Sequence, residues 1–184
     1  GNGAVSEWTG TVRSRAPAGI SAGIPGGKRT GGKVKGTETG MIRIRRMEPR
    51  DTCTAADIEK ENFSRPWSRE SFDSSAFRKD TLYLAAEKDG RLVGYAGMWI
   101  SLDEGEITNV SVAQCEQGKG IGRMLLEQLL TEAEQAGVAS CFLEVRKSNV
   151  RALALYESMG FQRVGTRRNF YEAPVEDGIV MIRR

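Results

Sequence analysis

A chain of 184 residues is long enough to bury one real core, and no apolar run in it approaches the roughly 20 residues that a membrane span requires. Histidine is absent, which excludes Ser-His-Asp and Cys-His catalysis and leaves acid–base chemistry to Glu, Asp, Tyr, Cys or Lys. The net charge of +3 misleads, because residues 1–40 carry +4 and the remainder −1, so the folded part offers no overall nucleic-acid footprint.

Residues 1–40 hold 11 of the 22 glycines, with Pro17 and Pro25, and show no apolar periodicity. Such a composition cannot bury enough surface to offset its ordering entropy. It predicts a flexible basic tail, native or not, with Met41 as the natural start of a single domain over residues 41–184. No compact apolar stretch sits beside a cleavage site, so no secretory leader is expected. Cys53, Cys115 and Cys141 are odd in number and lack a metal spacing. They predict free thiols in a reducing cytoplasm and no bound metal.

From Met41 to Met47 apolar and basic residues alternate, as in a half-buried strand. A helix follows over residues 51–62, then a loop over 63–67, and Ser68 reads as the N-cap of a short helix containing Glu70 and Phe72. Residues 81–87 and 92–100 read as a hairpin turned by Asp89-Gly90. Gly94 and Gly97 in its second strand predict a bulge or a close backbone approach. Residues 104–112 form the next strand. A helix then carries Ile121, Leu125, Leu129 and Ala133 on one stripe and ends at Gly137. Residues 141–145 form a short apolar strand suited to a central position. Ser148 or Asn149 caps a helix ending at Gly160, in which Ala152, Leu155 and Met159 form the packing stripe. Strands begin at Phe161 and close the chain over 179–182. The order predicts an α/β fold around a mixed sheet.

The most informative stretch joins the strand Val110-Ser111-Val112 to the helix through Gln117-Gly118-Lys119-Gly120-Ile121-Gly122-Arg123. Three glycines strip side chains from a helix start, where unpaired N–H groups and the positive end of the dipole meet. That is a cradle for a pyrophosphate. A Walker A loop would need Ser or Thr after Lys119, and the dinucleotide fingerprint would need glycine at Arg123. Two further groups invite chemistry. Glu144 sits mid-strand between Leu143 and Val145, on the face shared with Arg146. It is either a general base or the partner of Arg146 or another cation. Tyr156 either donates a proton to a leaving thiolate or packs in the core.

Gln117-x-x-Gly120-x-Gly122 resembles the acetyl-CoA loop of the GNAT superfamily of N-acetyltransferases. The stretch from Leu143 to Phe161, with Glu144-Val145-Arg146, Ser148-Asn149, Ala152 and Leu155-Tyr156-Glu157, looks like the distal half of that domain. More narrowly it resembles the RimI family, which acetylates the N-terminal amine of a small-subunit ribosomal protein. Pro66-Trp67-Ser68 with Phe72, Arg167-Arg168-Asn169-Phe170-Tyr171, and Glu176-Asp177-Gly178-Ile179-Val180-Met181 agree with this. The sequence departs from the family at Cys115-Glu116, Phe170 and Gly178.

The resemblance implies a GNAT fold with acetyl-CoA as cosubstrate. It places the general base at Glu144 and the general acid at Tyr156. Cofactor contacts fall on Val110, Ser111, Val112, Gln117, Gly118, Lys119, Gly120, Ile121, Gly122, Arg123 and Asn149. The pantetheine arm is expected between strands splayed at Val112 and Val145. The implied partner is a protein N-terminus, most specifically the N-terminal alanine of a ribosomal protein, with neither membrane nor direct nucleic-acid binding. The alternatives are another acceptor (lysine, polyamine, drug amine or another N-terminus) and a non-catalytic acyl-CoA-binding module.

Overall fold

The computed structural model describes residues 40–184, and the tail expected over the preceding residues lies outside the described ones. The fold is α/β, as the element order predicts. Seven strands form one mixed sheet: β1 (Ile42–Arg46), β2 (Thr81–Lys88), β3 (Arg91–Ser101), β4 (Glu104–Val112), β5 (Ser140–Arg146), β6 (Gln162–Glu172) and β7 (Val175–Arg183), in the order β1-β2-β3-β4-β5-β7-β6. Four helices flank it: α1 (Thr52–Asn62), α2 (Arg69–Ser75), α3 (Ile121–Gln135) and α4 (Val150–Ser158). Among the described residues no helix is long and apolar enough to cross a membrane.

Local chemistry accounts for most boundaries. Ser68 caps α2 by accepting from the Ser71 N–H, and the side chain of Asn149 caps α4 by accepting from the Ala152 N–H. Asp89 and Gly90 both take positive φ, 51° and 74°, the turn whose twist matches a two-residue hairpin. Gly97 marks the predicted close approach. A Cβ there would lie 2.3 Å from the Tyr83 ring, and the β3–β4 register breaks beside it.

Two apolar clusters sandwich the sheet. On one face α3 buries Ile121, Leu125, Leu126 and Leu129 against Leu82, Leu84, Met98, Ile107 and Leu143. Each such side chain contributes about 1.5–3 kcal/mol on burial. The other face carries α1 and α2, with Ala55, Ile58, Trp67 and Phe72 packed on Tyr83, Ala85 and Tyr95. Two expectations need correcting. The buried side of α4 centres on Ala152, Leu153 and Tyr156, while Leu155 and Met159 are only half-buried. The strand beginning near Phe161 is also longer than its apolar start suggests: it pairs with β7 from Gln162 to Arg167 and, after a break in register, again at Tyr171 and Glu172.

The sheet has one parallel pair, β4 with β5, and it is short. Its rungs are Glu104 with Ser140, Gly105 with Cys141, and Glu106 with Phe142. Beyond Glu106 the strands part. β4 runs on to Val112 paired only with β3, and β5 runs on to Arg146 paired only with β7. A gap therefore opens in the middle of the sheet, with its apex at the Glu106–Phe142 rung and its mouth at the glycine loop.

Candidate functional site

At the mouth, Gly118 and Gly120 hold φ of 79° and 83°, and Gly120 is the left-handed N-cap of α3 with no side-chain cap bond. L side chains rarely adopt that backbone conformation. The first N–H groups of α3, from Ile121 to Arg123, thus open onto a cleft with the helix dipole behind them. The cleft holds about 240 Å³ and is lined by Val110, Ser111 and Val112 on one side, Gly118, Gly120 and Gly122 at its floor, and Arg123, Arg151 and Tyr156 on the α4 side. Bare backbone with two guanidinium groups suits an anion such as a diphosphate. Glu116 also lines the cleft. It is neutralised there by Lys88 at 3.1 Å and Lys119 at 2.8 Å.

Along the gap, the pairing pattern decides which backbone groups are available. Ala113 donates its N–H to Val93 of β3. In an antiparallel ladder alternate residues turn their polar groups to the other edge, so Val112 and Val110 direct theirs into the gap. The Val112 carbonyl is already engaged, accepting from Asn62 Nδ2 at 2.9 Å and Gln117 Nε2 at 3.0 Å. Asn62 also donates to Ser111 Oγ at 2.8 Å. At Val112 the gap therefore presents a donor with its acceptor capped, a polarity suited to a carbonyl oxygen that gains negative charge.

Carboxylates gather near the apex, on the face opposite α3. Glu144 is buried, 6 % exposed, and Arg167 of β6 donates to its Oε1 at 2.7 Å. Of the two pictures the sequence left open, the ion pair is present, with Arg167 as its cation. Arg146 instead pairs with Glu176 at 3.1 Å. Glu106 stands on the neighbouring strand. Burial, reinforced by the charge of Glu144 and opposed by Arg167, pushes its carboxyl up to about 7.

Tyr156 approaches from the other face. It is fully enclosed, packs edge-on to Phe161 at 5.8 Å between ring centroids, and also lines the cleft. Burial raises its phenol well above the ordinary tyrosine value, which keeps it in the donor form. Close to Glu144 and Tyr156 lies Tyr171, whose hydroxyl is the one fully buried side-chain oxygen or nitrogen among the described residues without a hydrogen-bond partner.

Of the residues read from sequence, Val110, Ser111, Val112, Gln117, Gly118, Gly120, Ile121, Gly122, Arg123 and Tyr156 line one cleft. Glu144 sits further along the gap. Lys119 is turned toward Glu116, and the Asn149 side chain is spent on capping α4. Neither lines the cleft. Sequence reasoning missed Asn62, Glu106 and Arg151. Glu106 lay within the strand read over residues 104–112, and only register puts it beside Glu144. Arg151 lay one turn from the predicted cap, a position that could have drawn attention to it.

Comparison with known proteins gives the family. Residues 53–161 match the acetyltransferase (GNAT) family. The chain is 39 % identical over 138 residues to the [ribosomal protein bS18]-alanine N-acetyltransferase of Escherichia coli K12, covering 75 % of this chain and 91 % of that protein. It is 38 % identical over 152 residues to the N-alpha-acetyltransferase RimI of Mycobacterium tuberculosis, covering 79 % and 94 %. The crystal structure of the E. coli ribosomal-protein-S18-alanine N-acetyltransferase superposes with a TM-score of 0.73 at 38 % identity, over 78 % of this chain and 93 % of that one.

Proposed function

This chain belongs to the acetyltransferase (GNAT) family, as an acetyl-CoA-dependent N-acetyltransferase of its RimI branch, and from that premise we propose that its acceptor is the N-terminal α-amine of a protein. The acceptor proposed most specifically is the N-terminal alanine of a small-subunit ribosomal protein, modified in the cytoplasm, where Cys53, Cys115 and Cys141 stay as thiols. Relatives named for that reaction align over nearly their whole length. The single observation that carries the chemistry is the gap itself, with a carboxylate on one face, a phenol on the other and an anion cradle at its mouth.

Acetyl-CoA supplies an activated thioester, and the residues around it do the rest. N–H groups at the start of α3, with Arg123 and Arg151, hold the diphosphate. The donors turned into the gap at Val110 and Val112 align the arm and stabilise charge on the thioester oxygen. Glu144 takes the proton from the acceptor nitrogen as it attacks. Tyr156, held neutral by burial, gives a proton to the departing sulfur. An α-amine, with an ordinary pKa near 7.7–8.0, is roughly a tenth neutral at pH 7, whereas a lysine is neutral well below one part in a thousand. A modest carboxylate base is sufficient for the former.

The test combines peptides and variants. Mass spectrometry with acetyl-CoA and a panel of peptides differing at their first residues should show acetylation at an N-terminal Ala-Arg sequence. Modification of a small amine or a lysine in its place reassigns the acceptor. Glu144→Gln and Tyr156→Phe should each cut turnover with acetyl-CoA binding near normal, and the Tyr156→Phe loss should ease at higher pH. Full activity in both variants would remove these residues from their roles.

A further inference from the structure

Two carboxylates, not one, meet where β4 and β5 part. Glu106 occupies the last rung of the parallel ladder, opposite Phe142. Side chains alternate along a strand, so Glu144, two residues past Phe142, lies on the same face one step further into the gap. The charged and titratable groups that face Glu106 are Glu144 from β5, Arg167 from β6 and Tyr83 from β2.

The two acids are not equivalent. Glu144 carries a charge-assisted hydrogen bond from Arg167 at 2.7 Å, and protonating it would remove the charge that strengthens that bond. No described residue hydrogen-bonds the carboxylate of Glu106, although it is half-buried. A proton delivered to this pair therefore rests at lowest cost on Glu106. Position agrees with chemistry. The anion cradle lies at the mouth of the gap, so a thioester arm entering from it points toward the apex, where Glu106 stands.

We infer, on the acetyl-transfer mechanism proposed above, that the proton leaving the acceptor amine through Glu144 comes to rest on Glu106. The nitrogen–carbon bond forms and the carbon–sulfur bond breaks. The N–H bond of the acceptor breaks with its electron pair retained on nitrogen, and its proton becomes the O–H of Glu106. Tyr156 transfers its proton to sulfur and recovers one from water. Glu106 returns its proton to water before the next turnover, so the enzyme ends as it began. A carboxyl near neutrality suits such a resting place, because it accepts and releases a proton at working pH.

The experiment compares wild type with Glu106→Gln on one Ala-Arg peptide at saturating substrates from pH 5.5 to 9, so that the peptide's own amine cancels in the ratio. Glu106→Gln should lower kcat about 100-fold, the low end of what a positioned acid–base group contributes, and abolish the limb that rises through about pH 7. Its acetyl-CoA affinity and unfolding midpoint should match or exceed those of wild type, separating the effect from misfolding. Carbon-13 NMR of glutamate carboxyls in the free enzyme should lose one of two resonances titrating near 7. Arg167→Ala should move the limb to higher pH, since the guanidinium opposes the rise at Glu106. A Glu106→Gln enzyme with wild-type kcat and an unchanged pH profile overturns the inference. A wild-type chain that binds acetyl-CoA but acetylates no amine overturns the transfer mechanism and this inference together, a different result from two equally active enzymes.

Discussion

Glu59 and Glu106 are both withdrawn from water, and burial pushes both carboxyls up to about 7, yet they sit in opposite kinds of site. Glu59, on α1, is fully buried. Its oxygens accept from the Tyr95 hydroxyl, from Asn109 Nδ2 at 3.1 Å and from the Trp67 N–H at 3.2 Å. Every partner comes from a fixed element, and the network ties α1 to β3, β4 and the loop before α2. Glu106 has the same chemistry, the apex of a gap beside it and no such partners. Burial alone thus does not mark an acid for catalysis. What marks it is hydrogen-bonding capacity left unspent where a substrate can arrive.

The sharpest way to break this contrast is to remove each acid. Glu59→Ala strands a buried hydroxyl, an amide and a backbone N–H, and should cost roughly 3–5 kcal/mol of stability in urea unfolding, at about 1–3 kcal/mol per unsatisfied group. Glu106→Gln, which strands nothing, should cost close to none. Equal losses in the two variants would erase the distinction. The pH dependence follows with its sign. A carboxyl raised from 4.5 to about 7 in the folded state binds more protons folded than unfolded between those values. Its contribution is complete below about pH 4.5 and is lost as pH rises through 7. For Glu59 the shift is worth on the order of 3 kcal/mol. Chemical denaturation across pH 5 to 8 should therefore show stability falling with pH, and Glu59→Gln should flatten much of the slope.

A smaller effect separates ligand contacts from folding contacts at the mouth of the gap. The nearest atom to a Cβ added at Gly122 is Val112 Cγ2 at 3.9 Å, an ordinary contact, and Ala exceeds Gly in helix propensity by about 0.8–1 kcal/mol. Gly122→Ala should leave the unfolding midpoint unchanged or slightly raised. Acetyl-CoA affinity measured by calorimetry should nonetheless fall about tenfold, or ~1.4 kcal/mol, because the methyl group occupies the cradle. Unchanged affinity would show that the glycine serves the turn alone.

Much of this architecture was legible because it rests on local chemistry. Alternation located β1, Asp89-Gly90 the hairpin, Ser68 and Asn149 the caps, and the bare backbone at 118–122 the anion cradle. The unread portion depends on register and on long-range partners. Nothing near Glu106 in sequence indicates that β4 and β5 separate after that rung. Glu59 looked like any polar residue of a helix, because Tyr95, Asn109 and Trp67 reach it only once α1 crosses the sheet. The full length of β6 was hidden for the same reason: its later half joins the sheet through rungs to β7 at Arg167, Tyr171 and Glu172, across a break in register, and not through apolar pattern. Even at Glu144 the sequence left the cation unnamed, because Arg167 reaches it from another strand.

Asn62 joins the two regions, and its removal gives the smallest and most discriminating effect. It lies three residues after Glu59 on α1, so the network that fixes the helix also fixes where this amide points. From there it donates to Ser111 Oγ and to the Val112 carbonyl, and its own Oδ1 accepts from Gln117 Nε2 at 3.1 Å. Gln117 bonds the same carbonyl, so neither amide acts alone. Asn62→Ala leaves the Val112 oxygen one donor and should weaken acetyl-CoA binding only about threefold, ~0.6 kcal/mol. Gln117→Ala should do similarly. The pair shares a partner, so the double variant should depart from the sum of the single effects by about 0.5 kcal/mol or more. Strict additivity in that cycle would mean that the two amides do not act jointly on the Val112 carbonyl, and that α1 steadies the sheet without shaping the gap.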